Sequence, residues 1–227
     1  MPDVLSIQVG MPRSHGREEA DDPLDRPWRS GIVKEPVAGP VPIGRGGLRG
    51  DGQADRTHHG GPDKAVCAYS ADHYDFWRRE LGRSSLPFGA FGENLTIAGL
   101  TEEDVCLGDR WMLGAVAVQV SQPRQPCWKL AMRFRVEDLA ARVVANGKSG
   151  WYFRVLNEGA VRAGLALVLV ERPLPRWTVA RANRLIHHEK HDPAAIAELA
   201  ADDRVAASLR AQLSSRAERA RSPEPNS

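Results

Sequence analysis

Short β-prone runs separated by glycine and proline turns fill the chain as far as Pro175, and this pattern limits the fold more than any other feature. Glycine is densest in the stretch 44–61, where seven occur, and turns rich in glycine are typical of closely spaced strands. Helical patterns are few in this part of the chain. The sequence therefore predicts a mainly β domain with some helices, built as a barrel or as a curled mixed sheet.

Individual elements follow from alternation and from helical spacing. Strands are expected at 4–9, 64–69, 94–97, 151–156 and 165–170, with a hairpin around Gly114 that joins 111–113 to 115–120. Short strands at 32–33 and near Val37 would be interrupted by Pro36, and the polar stretch 11–29 would cross the surface. Helices are expected at 71–81, 128–134 and 137–144.

Beyond Pro175 the pattern becomes helical. Thr178 is a suitable N-cap for a helix that ends near His187. Asp192 followed by Pro193 predicts the start of a second helix, which would end near residue 201. A third helix is expected to start at Asp202, with an apolar stripe along it made by Val205, Leu209 and Leu213.

These patterns divide the chain into a β domain at 1–177, with its core at about 30–170, and a small helical domain at 178–215. The polar tail 216–227 is expected to be disordered. The formal net charge of +2 gives no sign of a general nucleic-acid surface, and no run of about 18 apolar residues predicts a membrane span. The first residues lack the basic and apolar regions of a secretory signal. Three cysteines without paired spacing argue against a disulfide framework and favour the cytoplasm.

Cys127 is the strongest candidate for a reactive group. It follows the β-prone run 111–120, and the segment 121–129 around it contains two prolines and two glutamines that would end the strand and stiffen the chain. Arg124 and Lys129 are near in sequence, and nearby positive charge favours a thiolate. A thiolate acts as a nucleophile or as a soft metal ligand; a buried structural cysteine is the alternative.

A second candidate segment places His58 and His59 beside Gly60 and Gly61. Glycine lets backbone amides approach a ligand closely, and histidine can donate or relay a proton near neutral pH. Adjacent histidines point in different directions in regular structure, so they form a poor metal clamp. A polar surface loop is the alternative for this segment.

A third candidate segment, 87–94, combines glycines with the side chains of Glu93 and Asn94 directly before a predicted strand. The two side chains either contact a ligand or, in the case of Asn94, satisfy the local backbone of a tight turn. In each of these segments the functional interpretation depends on where the fold brings it.

The strand predicted at 151–156 has two distinct faces. Trp151 and Phe153 would lie on one face, and Tyr152 and Arg154 on the other. Taken alone, this alternation predicts that the first face is core and the second is solvent-exposed.

Together, the segments 51–61, 91–95, 108–109, 121–127 and 150–155, in that order, resemble the MOSC domain, named after the C-terminal domain of molybdenum cofactor sulfurases. The resemblance runs from about Val4 to Trp177 and is nearest to the stand-alone bacterial YiiM-like branch, which carries a small three-helix domain at its C-terminus. It implies a β-barrel-like fold that binds the molybdenum cofactor, a pterin dithiolene with a phosphate. Pyridoxal phosphate binding is not expected.

The resemblance also implies an activity and a set of site residues. Cys127 matches the motif cysteine, which would ligate molybdenum, and the implied activity is reduction of N-hydroxylated compounds such as 6-N-hydroxylaminopurine, by N–O cleavage at molybdenum, as a detoxification. His58 and His59 would supply protons. Arg56, Arg124 and Arg154 are candidates for the cofactor phosphate, and the remaining expected cofactor-binding residues are Thr57, Gly60, Glu93, Asn94, Ser121, Gln122 and Gln125.

The chain carries no recognisable flavin, haem or iron–sulfur segment, so the electrons would come from an NAD(P)H-dependent flavin reductase. The expected partners are that reductase and a small N-hydroxylated substrate, without nucleic acid or membrane, and a homodimer is compatible with an exposed barrel. Two rival functions stay open. One is a carrier of the cofactor or of sulfur on Cys127, and the other is a thiol hydrolase that pairs Cys127 with His58 or His59.

Overall fold

A computed structural model describes residues 1–189 and 192–221 of the protein. The strands are β1 Asp3–Val9, β2 Arg13–His15, β3 Trp28–Ser30, β4 Glu35–Pro36, β5 Val41–Gly44, β6 Gly47–Leu48, β7 Val66–Ser70, β8 Leu95–Ala98, β9 Arg110–Leu113, β10 Val116–Pro123, β11 Trp151–Val155, β12 Gly159–Val161 and β13 Leu167–Glu171. The helices are α1 Arg56–His59, α2 Tyr74–Glu80, α3 Lys129–Phe134, α4 Leu139–Asn146, α5 Val179–His187, α6 Pro193–Ala201 and α7 Ala207–Arg221. Within the described ranges, no helix is long and apolar enough to cross a membrane.

Eight strands form one curled mixed sheet in the order β13-β9-β10-β11-β7-β8-β1-β4. Its pairs are antiparallel except β7 with β8, which run parallel. The sheet curls far enough for the start of β1 to meet the chain leading into β13, where Val4 N donates to Leu165 O at 3.0 Å and Leu167 N donates to Pro2 O at 2.8 Å. The predicted fold class, a mainly β, barrel-like domain followed by three helices, is confirmed.

The inner face of the sheet and the C-terminal helices share one hydrophobic core. Alternation in β11 buries Trp151 and Phe153 completely, as predicted from their spacing. The same cluster of buried side chains continues through Trp177 into α5, α6 and α7, where Leu199 and Leu213 are also fully buried. The helices are therefore packed onto the barrel rather than tethered to it.

The first two C-terminal helices begin where their capping residues predict. Thr178 Oγ1 accepts a hydrogen bond from Arg181 N at 3.0 Å, and Asp192 Oδ1 accepts one from Ala195 N at 2.9 Å. These side-chain acceptors satisfy backbone amides that lack a partner in the first helical turn.

The third C-terminal helix was predicted at the wrong place. It begins at Ala207 rather than at Asp202, because Asp202 instead bonds the backbone and side chain of Arg204 in a turn. It also continues through Arg221, so the predicted disorder from residue 216 is wrong as far as 221, and 222–227 lie outside the described residues. The apolar stripe of Val205, Leu209 and Leu213 is buried as expected, although Val205 precedes the helix.

Two β-strand predictions also need correction. The proline-containing segment does not end β10 at Val120, since a bulge between Val120 and Gln122 lets the strand continue to Pro123. Residues 32–33 form no strand, whereas Pro36 lies in β4 at the edge of the sheet, where a missing amide donor is tolerated.

Candidate functional site

Cys127 lies at a cleft of about 640 Å³, called here the main cleft. The loop 51–59, the ends of neighbouring strands and the segment 124–129 after β10 form its walls. The side chains used below are those of Lys34, Asp51, Asp55, His59, Lys64, Cys67, Asn94, Arg124, Gln125, Cys127, Lys129 and Tyr152.

The chain after β10 is fixed at both ends around Cys127. Arg124 N donates to Gly150 O at 3.0 Å, which ties the segment to the start of β11. On the other side, Cys127 O accepts a hydrogen bond from Leu130 N at 3.1 Å as the chain enters α3. The Cys127 thiol is free and only partly buried, so it is presented to the cleft on a constrained turn.

A row of cross-strand partners forms the floor beside this turn. Gln122 of β10 is opposite Tyr152 of β11, and Tyr152 is opposite Cys67 of β7. Burial raises the pKa of Cys67 to about 11, so this second thiol stays protonated at neutral pH. Burial, followed by the neighbouring Cys67, also raises the pKa of Tyr152, so its hydroxyl remains a hydrogen-bond donor.

Positive charge collects at the cleft. Four cationic side chains line it, Lys34, Lys64, Arg124 and Lys129, against the two carboxylates of Asp51 and Asp55. Lys34 and Asp51 form an ion pair whose side chains are 6% and 3% exposed, and this pair is neutral as a unit. The excess positive charge therefore comes from the other cations and suits an anionic ligand group.

Arg124 is the most deeply buried of these cations. Its Nη2 donates to Phe91 O at 2.6 Å. Burial alone would lower its pKa, but the acidic groups around it, first Cys67 and then Tyr152 and Cys127, raise it instead. Arg124 thus stays charged beside both cleft thiols.

His59 and Lys64 have altered proton affinities. Burial, followed by the charge of Lys129, lowers the pKa of His59, so the imidazole is neutral at neutral pH. Burial also lowers the pKa of Lys64, against the opposing effect of Asp63 and Asp55. Both side chains face the cleft that contains Cys127.

The structure brings five of the predicted site residues to the main cleft: His59, Asn94, Arg124, Gln125 and Cys127. Asn94 is mainly a brace there, because its Oδ1 accepts from Cys67 N at 3.0 Å and its Nδ2 donates to Gln8 O at 3.2 Å. Gln122 lines the neighbouring cavity. Thr57 and Gly60 do not line the cleft, and the side chains of Arg56 and His58 lie outside the described part of the structure.

Glu93 lies behind the cleft, not in it, and its surroundings are called here the Glu93 cluster. Its fully buried carboxylate accepts hydrogen bonds from the Tyr74 hydroxyl, from Thr96 Oγ1 at 2.9 Å, from Gly89 N at 2.8 Å and from Phe91 N at 3.1 Å. A carboxylate with its acceptor sites so occupied holds the loop before β8 in place. These contacts give Glu93 a structural role, and its contact with the cofactor stays a prediction.

Ser121 and Arg154 also make structural contacts, and their contacts with the cofactor stay predictions. Ser121 Oγ donates to Asp63 O and Tyr152 O, the latter at 3.1 Å, within a fully buried site. Arg154 forms an ion pair with Asp63 at 2.8 Å and donates to Gln119 Oε1 at 3.2 Å, so its charge is used away from the cleft. Neither residue lines the main cleft.

The cleft residues that sequence reasoning did not name as site residues include Lys34, Lys64, Cys67 and Tyr152. Tyr152 was assigned to a solvent-facing side because its face alternates with Trp151 and Phe153. That face does point away from the core, but Gln122 and Cys67 flank it and the loop 51–59 covers it. Strand register supplies this information, and alternation within one strand cannot.

The residues present fit a soft metal carried by an anionic organic group. Cys127 offers one accessible soft donor, and Lys64, Arg124 and Lys129 offer charge for a phosphate. Within residues 1–189 and 192–221, no group of three His, Cys, Asp or Glu side chains could hold a bare metal ion.

The fold is a curled mixed half-barrel with three helices packed onto it, and the cleft holds a thiol among cationic side chains. Comparisons with known protein families identify the class of protein that has this architecture. The model of the MOSC domain matches residues 55–168, and the model of the YiiM-like 3-alpha helix domain matches residues 177–220. The chain belongs to the MOSC domain family, in which binding of the molybdenum cofactor is a general association.

Relatives and solved structures support this membership over most of the chain. The protein YflK of Bacillus subtilis (strain 168) is 44% identical over 95% of this chain and 95% of its own. The crystal structure of YiiM from Geobacillus stearothermophilus superposes with a TM-score of 0.80 at 41% identity and covers 96% of this chain and 100% of its own. A protein of Gibberella moniliformis named reductase is 40% identical over 69% of this chain, which corresponds to 28% of that protein.

Proposed function

We propose that this protein binds the molybdenum cofactor in the main cleft, with Cys127 as the protein ligand, and reduces N-hydroxylated compounds by cleaving their N–O bond. The observation that carries the proposal is the partly exposed thiol of Cys127 in a cleft with an excess of cationic side chains. Membership of the MOSC family and the fungal relative named reductase support it. Three free cysteines fit the reducing cytoplasm as its location.

Different residues of the main cleft would bind the metal and the phosphate of the cofactor. A thiolate at Cys127 would be a soft ligand for the metal, and Lys64, Arg124 and Lys129 would supply positive charge to the phosphate. Arg124 adds rigidity, because Phe91 O holds its guanidinium in one orientation. When bound, the cofactor supplies the two electrons that the reduction needs.

The chain's own residues supply hydrogen bonds and protons. Conversion of a hydroxylamine to an amine and water consumes two electrons and two protons. The Tyr152 hydroxyl, protonated because its pKa is raised by burial, orients the substrate oxygen as a donor. Neutral His59, whose pKa is lowered by burial, exchanges protons between this position and solvent.

Electrons for each turnover would come from an NAD(P)H-dependent flavin reductase. The carrier function remains the second candidate, and the partial exposure of the Cys127 thiol favours it to the same extent as catalysis. A carrier would load the same cofactor or a sulfur atom on Cys127 but release it to another protein without reducing a substrate.

The deciding experiment measures molybdenum and pterin in protein made by cells competent for cofactor synthesis. Wild type is compared with Cys127→Ser and with the control Cys106→Ser, which changes a buried thiol outside the cleft. We expect about one molybdenum per chain in wild type and the control, and loss or an altered metal spectrum in Cys127→Ser. Wild type without molybdenum would reject the proposal.

Turnover then separates the enzyme from the carrier. The loaded protein is mixed with a reduced flavin reductase and 6-N-hydroxylaminopurine, and the amine product is quantified. Product from wild type and the control, but not from Cys127→Ser, supports the reductase. A loaded protein that yields no product and transfers molybdenum cofactor to an apo-enzyme identifies a carrier.

A further inference from the structure

A second, open cavity adjoins the main cleft and is called here the second chamber. The two cavities share the side chains of Cys127, His59, Lys64, Gln125 and Tyr152, together with Asp55. The proposed metal ligand therefore lies at the boundary between them. Of the proposed phosphate-binding cations, Arg124 and Lys129 line the main cleft alone, and Lys64 lines both cavities. A ligand in the second chamber would therefore also lie beside Cys127.

Helix α7 of the C-terminal domain forms one wall of the second chamber. Ser208, Leu209 and Gln212 line it, one helical turn apart or adjacent. The helix is fixed against the barrel near this wall, since Ser208 Oγ donates to Gln122 Oε1 at 3.1 Å and Gln125 Nε2 donates to Gln212 Oε1 at 3.3 Å.

The start of α7 is anchored as well. Ala207 N donates to Asp63 Oδ2 at 2.9 Å, and Ala206 N donates to Ser121 O at 2.9 Å. Two barrel residues thus fix the first turn of the helix beside the chamber. The wall is a rigid part of the molecule rather than a loose helical extension.

The lining that belongs to the second chamber alone is uncharged. It consists of Gln122, Pro126, Trp128, Ser208, Leu209 and Gln212, whereas the main cleft holds Lys34, Arg124 and Lys129. Lys64 and Asp55 line both cavities and carry opposite charges, so they add no excess charge to the second chamber. The remaining contrast in charge predicts different ligands for the two cavities. The main cleft suits an anion, and the second chamber suits a neutral molecule.

Two features of the chamber describe the shape of that molecule. Trp128 is 58% exposed, and an exposed indole offers a flat surface for a planar ring. The Gln125–Gln212 pair uses only half of each amide. Among the described residues, Gln125 Oε1 and Gln212 Nε2 have no protein partner, which leaves one acceptor and one donor for a ligand.

We infer that the second chamber is the substrate site and that α7 supplies part of its specificity through Gln212. The ligand class is a flat, uncharged heteroaromatic molecule with a neighbouring donor and acceptor on its edge, and its reacting group points toward Cys127. Trp128 stacks on the ring of the ligand. Gln125 and Gln212 form hydrogen bonds with the donor and the acceptor on its edge. The role of the second chamber in turnover rests on the proposed function, but the binding of such a molecule to the chamber does not require the proposed function.

Binding is tested by equilibrium dialysis with adenine, a flat molecule with this edge that cannot be reduced at an N–O bond. Gln212→Ala should weaken binding about three- to tenfold, the value of a neutral hydrogen bond. Trp128→Ala should weaken it about tenfold or more through loss of stacking. Gln212→Trp should block the chamber, whereas the control Ser214→Ala, exposed on α7 outside the chamber, should leave binding unchanged.

Kinetics give an independent readout in the loaded protein. Gln212→Trp should raise KM for 6-N-hydroxylaminopurine at unchanged molybdenum content, and it should affect acetohydroxamic acid, which lacks the flat ring, much less. If adenine binds and the variants weaken it although wild type holds no molybdenum, the proposed function fails and this inference stands. If wild type reduces the purine but Gln212→Trp changes neither KM nor adenine binding, the inference is overturned.

Discussion

The main cleft and the Glu93 cluster contain similar polar residues but use them in opposite ways. In the Glu93 cluster, a fully buried carboxylate meets the Tyr74 hydroxyl, Thr96 and two backbone amides. In the main cleft, the Cys127 thiol is partly exposed and the cations around it exceed the carboxylates. One region satisfies its polar groups internally, and the other leaves charge available to a ligand.

This difference shows how to separate scaffold from site within one motif. Glu93 lies behind the cleft, and Asn94, although it lines the cleft, is bonded internally to Cys67 and Gln8. The Cys127 thiol has no described hydrogen bond. Because a buried polar group with a full set of partners has no capacity for a ligand, the count of its internal partners decides its role. Substitutions should therefore affect stability in one region and binding in the other.

The largest contrast is expected at Cys127. Cys127→Ser should abolish reduction of N-hydroxylated substrate, because a hydroxyl is a poor ligand for a soft metal. Its thermal midpoint without cofactor should equal that of wild type, since the thiol is partly exposed and makes no described hydrogen bond. Retained activity with bound molybdenum would contradict the ligand role, and an activity assay beside thermal denaturation gives both readouts.

The opposite pattern is expected at Glu93. Glu93→Ala should lower the free energy of unfolding by about 3–5 kcal/mol, because several buried donors lose their acceptor together. Urea denaturation measures this change. Glu103→Ala is the control, since its pair with Arg184 is exposed and such pairs contribute about 0–1 kcal/mol. Equal effects of the two substitutions would remove the distinction between scaffold and site.

Arg124 belongs to both regions and sharpens the comparison. Arg124→Ala should weaken cofactor retention about tenfold or more by loss of a charge-assisted contact, and should also lower stability because Phe91 O loses its donor. Lys129→Ala should weaken retention without the loss of stability. Molybdenum content after dialysis and urea denaturation report the two effects, and unchanged retention in both variants would exclude a phosphate contact here.

The smallest effect concerns the two thiols of the cleft. At pH 8, iodoacetamide should label Cys127 but not Cys67, because burial raises the pKa of Cys67 to about 11 and keeps it protonated.

The pKa of Cys67 in the folded protein lies above the ordinary value of 9.0. The contribution of Cys67 to stability is therefore complete below pH 9.0 and is lost as pH rises through about 11. Mass spectrometry of the labelled protein, with and without denaturant, measures both thiols.

Sequence patterns predicted the parts of the site that depend on neighbours along the chain. Cys127 and Arg124 lie within one short segment, and both face the cleft as expected. Cys67 and Tyr152 escaped prediction because they meet through the pairing of β7 with β11, which local alternation does not specify. Arg154 lies on the same strand as Tyr152, but its guanidinium forms an ion pair with Asp63 rather than facing the main cleft.

In the fold, too, local features could be predicted from the sequence and features that depend on longer-range contacts could not. Alternation and caps located β1, β11, α5 and α6, since these signals are local. The continuation of β10 through Pro123 and the late start of α7 depended on a bulge and on the side-chain bonds of Asp202, which short-range patterns do not reveal.

Trp177 is the first residue matched by the model of the three-helix domain, and its packing determines how the protein unfolds. It is 1% exposed, its Nε1 donates to Glu198 Oε1 at 2.8 Å, and its carbonyl accepts from Leu107 N at 2.8 Å. One ring thus joins the barrel to α6 inside a continuous core. The barrel and the helices should therefore melt in one cooperative transition, and a chain shortened to the barrel would lose part of its own interior.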